Sequence, residues 1–201
     1  MRRRLAALLV GMALAACVVA ASFFVLPAQD VTSANVEYGY VYSGAKSSST
    51  RFVRANLTED SIVMLGSSEF STPASSVPQI PAQVFGTHNY GIRCMLVGEA
   101  FDQCLWHAIA MGALAQESLP RDKVVFTVGL GQFTDGGMDS STFSTRFSYS
   151  LFREFCDNQR IPTNVRDYVL RRLREQGVDD TTVRAGSRQD VVSSVDDAVL
   201  G

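Results

Sequence analysis

The residues most able to do chemistry are Gly66-Ser67-Ser68-Glu69, placed directly after the apolar run Ile62-Val63-Met64-Leu65. A tight glycine turn after a strand can hold a serine hydroxyl above the edge of a sheet. Backbone N–H groups of that turn, and of a helix that follows it, can then face a developing oxyanion. That is the arrangement an acyl-transferring serine requires. The same tetrapeptide also reads as an ordinary strand-to-helix connection. In that reading Ser67 or Ser68 is an N-cap and Glu69 sits favourably near the helix dipole. The tetrapeptide alone leaves both readings open.

Two more glycine-closed turns follow apolar runs of the same kind. Gly98-Glu99-Ala100 follows Arg93-Cys94-Met95-Leu96-Val97, and Gly129-Leu130-Gly131-Gln132-Phe133 follows Lys123-Val124-Val125-Phe126-Thr127-Val128. Catalytic and ligand-binding groups of open α/β sheets gather at such carboxyl ends. The four cysteines, Cys17, Cys94, Cys104 and Cys156, contain no C-x-x-C and match no zinc spacing. In an exported domain Cys94 and Cys104 form one candidate disulfide, with burial as small hydrophobes the alternative. The two histidines stand apart: His88 in a polar loop reads as solvent-exposed, and His107 beside Trp106 reads as structural.

The elements that must position these turns follow from the pattern. Short apolar runs closed by glycine suit buried strands of a parallel sheet. Residues 101–114, with Leu105, Ile109, Met111 and Leu114, predict a helix between the second and third strands, ended near Leu119-Pro120. Residues 143–155 and 164–176 predict two more helices, the second amphipathic through Val165, Tyr168, Val169, Leu170 and Leu173 and stopped by Gly177. Strands alternating with helices indicate an α/β fold. Three strands make a small sheet, so it is expected to be incomplete, with residues 178–201 an uncertain tail.

The chain has 201 residues, a length suited to one domain. Its 18 Lys and Arg against 20 Asp and Glu give no polycationic surface, which argues against nucleic acid as a partner. At the N-terminus, Arg2, Arg3 and Arg4 precede an uncharged apolar run from Leu5 to Leu26, long enough to cross a bilayer core of roughly 30 Å. The basic flank predicts residues 1–4 in the cytoplasm, 5–26 as a single transmembrane anchor, and the rest outside. A cleaved signal peptide is the rival, but the run continues past any early Ala-x-Ala site. Leu14-Ala15-Ala16-Cys17 also has the form of a lipobox, which would put lipid on Cys17. Residues 27–60, with Ser43-Gly44-Ala45-Lys46-Ser47-Ser48-Ser49, read as an irregular stalk.

Ordered blocks of the chain resemble the DltD family of teichoic-acid D-alanylation proteins. Val63-Met64-Leu65-Gly66-Ser67-Ser68-Glu69-Phe70-Ser71 is similar to the G-S-S-E block that opens the family's extracellular domain. Leu96-Val97-Gly98-Glu99-Ala100-Phe101-Asp102-Gln103-Cys104-Leu105 resembles its second block. Lys123 to Val128, then Gln132-Phe133-Thr134 and Gly136-Gly137, resemble its third, although the expected proline and tryptophan are missing. The resemblance covers residue 1 to about Gly177. It implies a flavodoxin-like, SGNH-type three-layer α/β/α sandwich over residues 61–177.

The resemblance further implies Ser68 as nucleophile, with Gly66, Ser67, Gly98 and the Gln132 region lining the site. The N–H groups of Ser68 and Gly98 are its candidate oxyanion donors. It implies no metal or organic cofactor. The implied partners are a D-alanyl carrier protein, a membrane-bound O-acyltransferase, teichoic acid and the membrane of a Gram-positive cell. The family's Asp-x-x-His pair, which would supply the base, has no counterpart after His107, so a truncated form is expected. The alternatives are an extracytoplasmic SGNH esterase on cell-wall polysaccharide, a non-catalytic assembly or carrier-binding component, and a surface lipoprotein binding module.

Overall fold

The computed structural model describes residues 4, 10–18, 36–73, 77–87, 91–133 and 138–187. The chain divides at Ser33/Ala34 into an N-terminal unit and a folded unit. In the first, residues 10–18 are helical and exposed, and these are the described residues of the expected anchor. Among the described residues no helix is long and apolar enough to cross a membrane.

The folded unit contains a three-stranded parallel sheet of order β2-β1-β3, formed by β1 (Ser61–Gly66), β2 (Arg93–Gly98) and β3 (Val124–Phe126). The α/β reading and its parallel sheet are thus observed. The central strand is the first in sequence, so the chain leaves β1 toward one side, returns, and crosses to the other. The pairing aligns Gly66 with Gly98, so the two glycine turns emerge side by side. The third strand is shorter than its apolar run, though Thr127 N still donates to Leu65 O at 2.9 Å.

Both faces of β1 and β2 are covered, which is why these two strands are apolar on consecutive positions rather than alternating, whereas β3 is half-exposed. Met64, Cys94 and Leu96 point to one face and meet Phe70 and, from helix α3 (Pro81–Thr87), Ala82 and Phe85. Val63, Leu65, Met95 and Val97 point to the other, larger core. There they pack with Trp106, Ile109 and Leu114 of α4 (Cys104–Leu114) and with Phe152 and Phe155 of α6 (Tyr149–Asp157). Leu173 of α7 (Thr163–Glu175) and Val183 of α8 (Asp180–Ser187) complete it. The expected uncertain tail therefore contributes α8 and a fully buried valine before the described residues end at 187.

Gly177 ends α7 as expected, at φ +80°, with Gly177 N donating to Arg174 O at 2.9 Å and Val178 N to Leu173 O at 3.0 Å. This is a Schellman closure, in which a left-handed residue lets the chain satisfy the last carbonyls. The single helix expected over 143–155 is two: α5 (Ser140–Ser144) and α6. Asp139 caps the first by accepting from Thr142 N at 2.9 Å, and Ser148 caps the second by accepting from Leu151 N at 3.2 Å. A second N-cap inside an apolar pattern restarts the helix.

The stalk expected over residues 27–60 is folded throughout its described part. Residues 36–60 include α1 (Ala45–Ser48) and α2 (Thr50–Ala55), and Val53 is buried in the larger core. The polar composition hid this because several of its polar groups find partners in the fold. Ser49 Oγ and Thr50 N both donate to Glu154 at 3.0 Å, and buried Lys46 donates to Gly39 O, Val41 O and Leu96 O at 3.3, 2.7 and 3.2 Å. Burial pulls the Lys46 ammonium down to about 8. The candidate Cys94–Cys104 disulfide is not formed: Cys94 is buried in the sheet and Cys104 is exposed at the start of α4.

Candidate functional site

The serine turn lies at the carboxyl end of the central strand, where the chain's two crossovers part to opposite sides. That switch point is where open α/β sheets form a crevice. Ser67, Ser68, Glu69, Gln103, Thr127, Val128 and Gly129 line a cleft of about 420 Å³ there, drawing on the loops after all three strands. Ser68 is exposed and opens a 3₁₀ turn, Ser68–Phe70. The short turn is held by Phe70 N donating to Ser67 O at 3.0 Å and Ser71 N donating to Ser68 O at 3.1 Å. Ser67 is half-buried, and its hydroxyl donates to Glu99 O at 3.3 Å. The two serines are therefore not equivalent: one hydroxyl ties loops together and the other is presented to solvent.

Glu69 holds the turn from the side. Its carboxylate accepts from Ser67 N at 3.0 Å and from the Thr127 hydroxyl, bridging the turns after β1 and β3. Gly66 has no space for a side chain, since a Cβ there would run into Thr127 Oγ1 and lie 2.5 Å from Glu69 Oε1. Gly98 is confined by backbone: its Cβ would meet Gly66 C and O at 2.7 Å and Ser67 O at 2.9 Å. Both glycines are required by close approach.

His107 approaches from beneath. It is buried on α4 and its Nε2 donates to Gly66 O at 3.0 Å, a carbonyl being able only to accept. Burial lowers its pKa, with the Gly66 contact and the charge of Glu69 acting the other way. This matches the structural reading of His107 and engages Nε2 with backbone instead of a serine. His88 lies outside the described residues.

The loop after β2 is fixed by a network that the sequence did not reveal. Asp102 N donates to Glu99 O at 2.9 Å, and Glu99 N donates to Asp102 Oδ2 at 2.8 Å. Asp102 is fully buried, its Oδ1 has no hydrogen-bond partner among the described residues, and burial pushes its carboxyl up to about 7. The turn places Phe101 at φ +73°, so α4 begins at Cys104 rather than at residue 101. Above it, the Glu99 carboxylate accepts from the Tyr42 hydroxyl at 2.5 Å and pairs with Arg146 at 2.6 Å. Burial works to raise the Glu99 pKa, and these two partners outweigh it and lower it.

The structure thus brings Gly66, Ser67, Ser68 and Gly98 together. Gln132 lies in the 3₁₀ turn Leu130–Phe133 that follows β3. Glu69 was legible as an acidic residue near a helix start, but its bridge to Thr127 was not. A wider groove of about 760 Å³ runs beside β3, α4 and α7, lined by Met111, Leu119, Val124, Phe126, Ile161 and Val165, and includes neither serine of the turn.

Fold and site define an α/β protein with a serine turn at the switch point of a parallel sheet. Comparison with protein families narrows this. The family model described as DltD protein matches residues 40–193, and the chain belongs to the DltD family. That family acts in D-alanylation of teichoic acid. The match begins inside the segment read as a stalk, in agreement with its folded state. Among curated proteins, none matches the sequence.

Proposed function

We propose that this protein works in teichoic-acid D-alanylation at the outer face of the membrane, with Ser68 as the acyl-accepting nucleophile. The observation that carries the reading is the exposed Ser68 beside a Ser67 tied to Glu99 O, in a cleft at the switch point, within the family's matched span. The strand order β2-β1-β3 supports the flavodoxin-like, SGNH-type sandwich, whose order begins in the same way. The apolar run Leu5–Leu26 behind Arg2, Arg3 and Arg4 serves as the anchor that keeps the folded unit outside.

Ser68 Oγ adds to the carbonyl carbon of a D-alanyl thioester or ester and gives its proton to a base, while the carbonyl oxygen takes the negative charge. The N–H groups of Ser68 and Gly98 are the donors for that oxyanion. Collapse expels the thiolate or alkoxide, which takes up the proton. A polymer hydroxyl then attacks the acyl-serine, and Ser68 recovers its proton. The partners this requires are a D-alanyl carrier protein, a membrane-bound O-acyltransferase and the teichoic acid.

A second reading, a non-catalytic component that binds the carrier or the acyltransferase, is favoured by one observation. His107, the only histidine among the described residues, has its Nε2 on Gly66 O. Cells carrying Ser68→Ala in place of the native chain separate the two. Loss of alkali-labile D-alanine from teichoic acid supports the nucleophile, and full retention supports the binding role.

A further inference from the structure

Glu69 is the one charged residue among the described residues that line the Ser68 cleft; its companions there are Ser67, Gln103, Thr127, Val128 and Gly129. Both hydrogen bonds that hold its side chain end on one oxygen. Oε1 accepts from Ser67 N at 3.0 Å and from the Thr127 hydroxyl. Oε2 has no hydrogen bond or ion pair among the described residues. The neighbouring acid differs: the Glu99 carboxylate is paired with Arg146 at 2.6 Å. Glu69 has donors but no such cation. His107, which feels the charge of Glu69, is driven toward its neutral form by burial. The turns after β1 and β3 thus clamp one oxygen of a half-buried carboxylate and leave its charge uncompensated beside the nucleophile. A fixed charge in a concave, partly desolvated site focuses the field there and selects ligands of opposite sign.

We propose that Glu69 Oε2 receives the α-ammonium of an aminoacyl group carried to Ser68, which makes this cleft selective for aminoacyl over plain acyl esters and thioesters. The inference rests on the reading of Ser68 as nucleophile and adds the residue that recognises its acyl group. Ser68 and Glu69 are consecutive, with Cα atoms about 3.8 Å apart, and both line the cleft. In an aminoacyl group the ammonium is one carbon from the carbonyl, so a carbonyl at Ser68 brings the ammonium within reach of the neighbouring side chain. The clamp on Oε1 orders the carboxylate before a ligand arrives, which lowers the cost of forming the contact.

The test compares S-D-alanyl-N-acetylcysteamine with S-propionyl-N-acetylcysteamine, thioesters that differ only in the amine, on the full-length chain in detergent. At about pH 6 the α-amine is protonated. The serine oxygen bonds to the acyl carbon and the thiol leaves with the serine's proton, so thiol release reads the rate and peptide mapping reads the site. Each kcat/KM is divided by the rate of the same thioester without protein, which removes the ammonium's own effect on the carbonyl. The native chain is expected to prefer the D-alanyl thioester about tenfold, the low end for a hydrogen bond to a charged group because Glu69 is only half-buried. Added salt should reduce that preference by screening the pair. Glu69→Gln keeps an oxygen for Ser67 N and Thr127 Oγ1 but removes the charge, and its preference is expected to vanish. A variant that merely loosened the turn would slow both thioesters together and leave their ratio unchanged. A native chain without preference, or a preference that persists in Glu69→Gln, overturns the ammonium anchor and leaves the nucleophile standing. Thiol release from neither thioester, with no adduct on Ser68, overturns both.

Discussion

Replacing Asp102 by asparagine should make the protein more stable above neutral pH and leave it nearly unchanged in acid. Asp102 is fully buried and its Oδ1 lacks a hydrogen bond among the described residues. Burial raises its carboxyl from 3.8 to about 7, with the Glu99 N–H and the nearby Ser47 hydroxyl lowering it, the Glu99 charge raising it and Arg146 lowering it. A raised folded pKa means that the folded state holds the proton more tightly than the unfolded chain does. The stability contributed by that proton is fully present below about pH 4 and is lost as pH rises through about 7. At about 1.36 kcal/mol per unit, the shift corresponds to up to about 4 kcal/mol between those limits. The asparagine side chain cannot ionise, yet its carbonyl oxygen still accepts from Glu99 N. The advantage of Asp102→Asn should therefore grow from near zero at pH 4 to about 4 kcal/mol at pH 8. With a urea slope of about 2 kcal/mol per molar, that is about 2 M in midpoint. Urea unfolding of both proteins across this range, compared at each pH, cancels groups common to both. A midpoint difference that stays constant with pH, or that shrinks as pH rises, refutes the reasoning.

Gly98→Ala should destabilise by about 1–3 kcal/mol, because its Cβ would sit 2.7 Å from the Gly66 backbone. Gly129→Ala is the control, since nothing lies within 4 Å of its Cβ, and thermal melts of the two check the contrast. Lys46→Met leaves Gly39 O, Val41 O and Leu96 O without their shared donor and should cost about 1–3 kcal/mol at pH 7. Lys46 has a lowered folded pKa, so the native chain should gain stability over this variant as pH rises from about 8 toward 10.5. Urea midpoints in that range report it.

The two strands β1 and β2 were legible because strands buried on both faces of a parallel sheet run apolar through consecutive positions, and each of these two ends in a glycine. The stop at Gly177 was legible for an equally local reason. Contacts between distant residues were not. Glu69 meets Thr127 across 58 positions, and Trp106 Nε1 donates to Ser47 O at 3.2 Å across 59. The Ser-rich stretch around Lys46 looked like linker because composition counts polar groups without showing which are paired. The paired positions Ser67 and Ser68 were legible as a candidate site. Which hydroxyl is tied down, and which is presented, depends on Glu99 O from another strand. Asp102 was invisible as a buried acid because no spacing rule places a carboxyl under a turn.

The proposed nucleophile is Ser68 and not its neighbour Ser67. The most direct measurement is the alkali-labile D-alanine content of teichoic acid in cells expressing the native chain, Ser67→Ala or Ser68→Ala at matched protein levels. Ester content in Ser68→Ala cells should fall to the level of cells without the protein, while Ser67→Ala, which loses one loop contact, retains much of the ester. Native ester content in Ser68→Ala cells would contradict it.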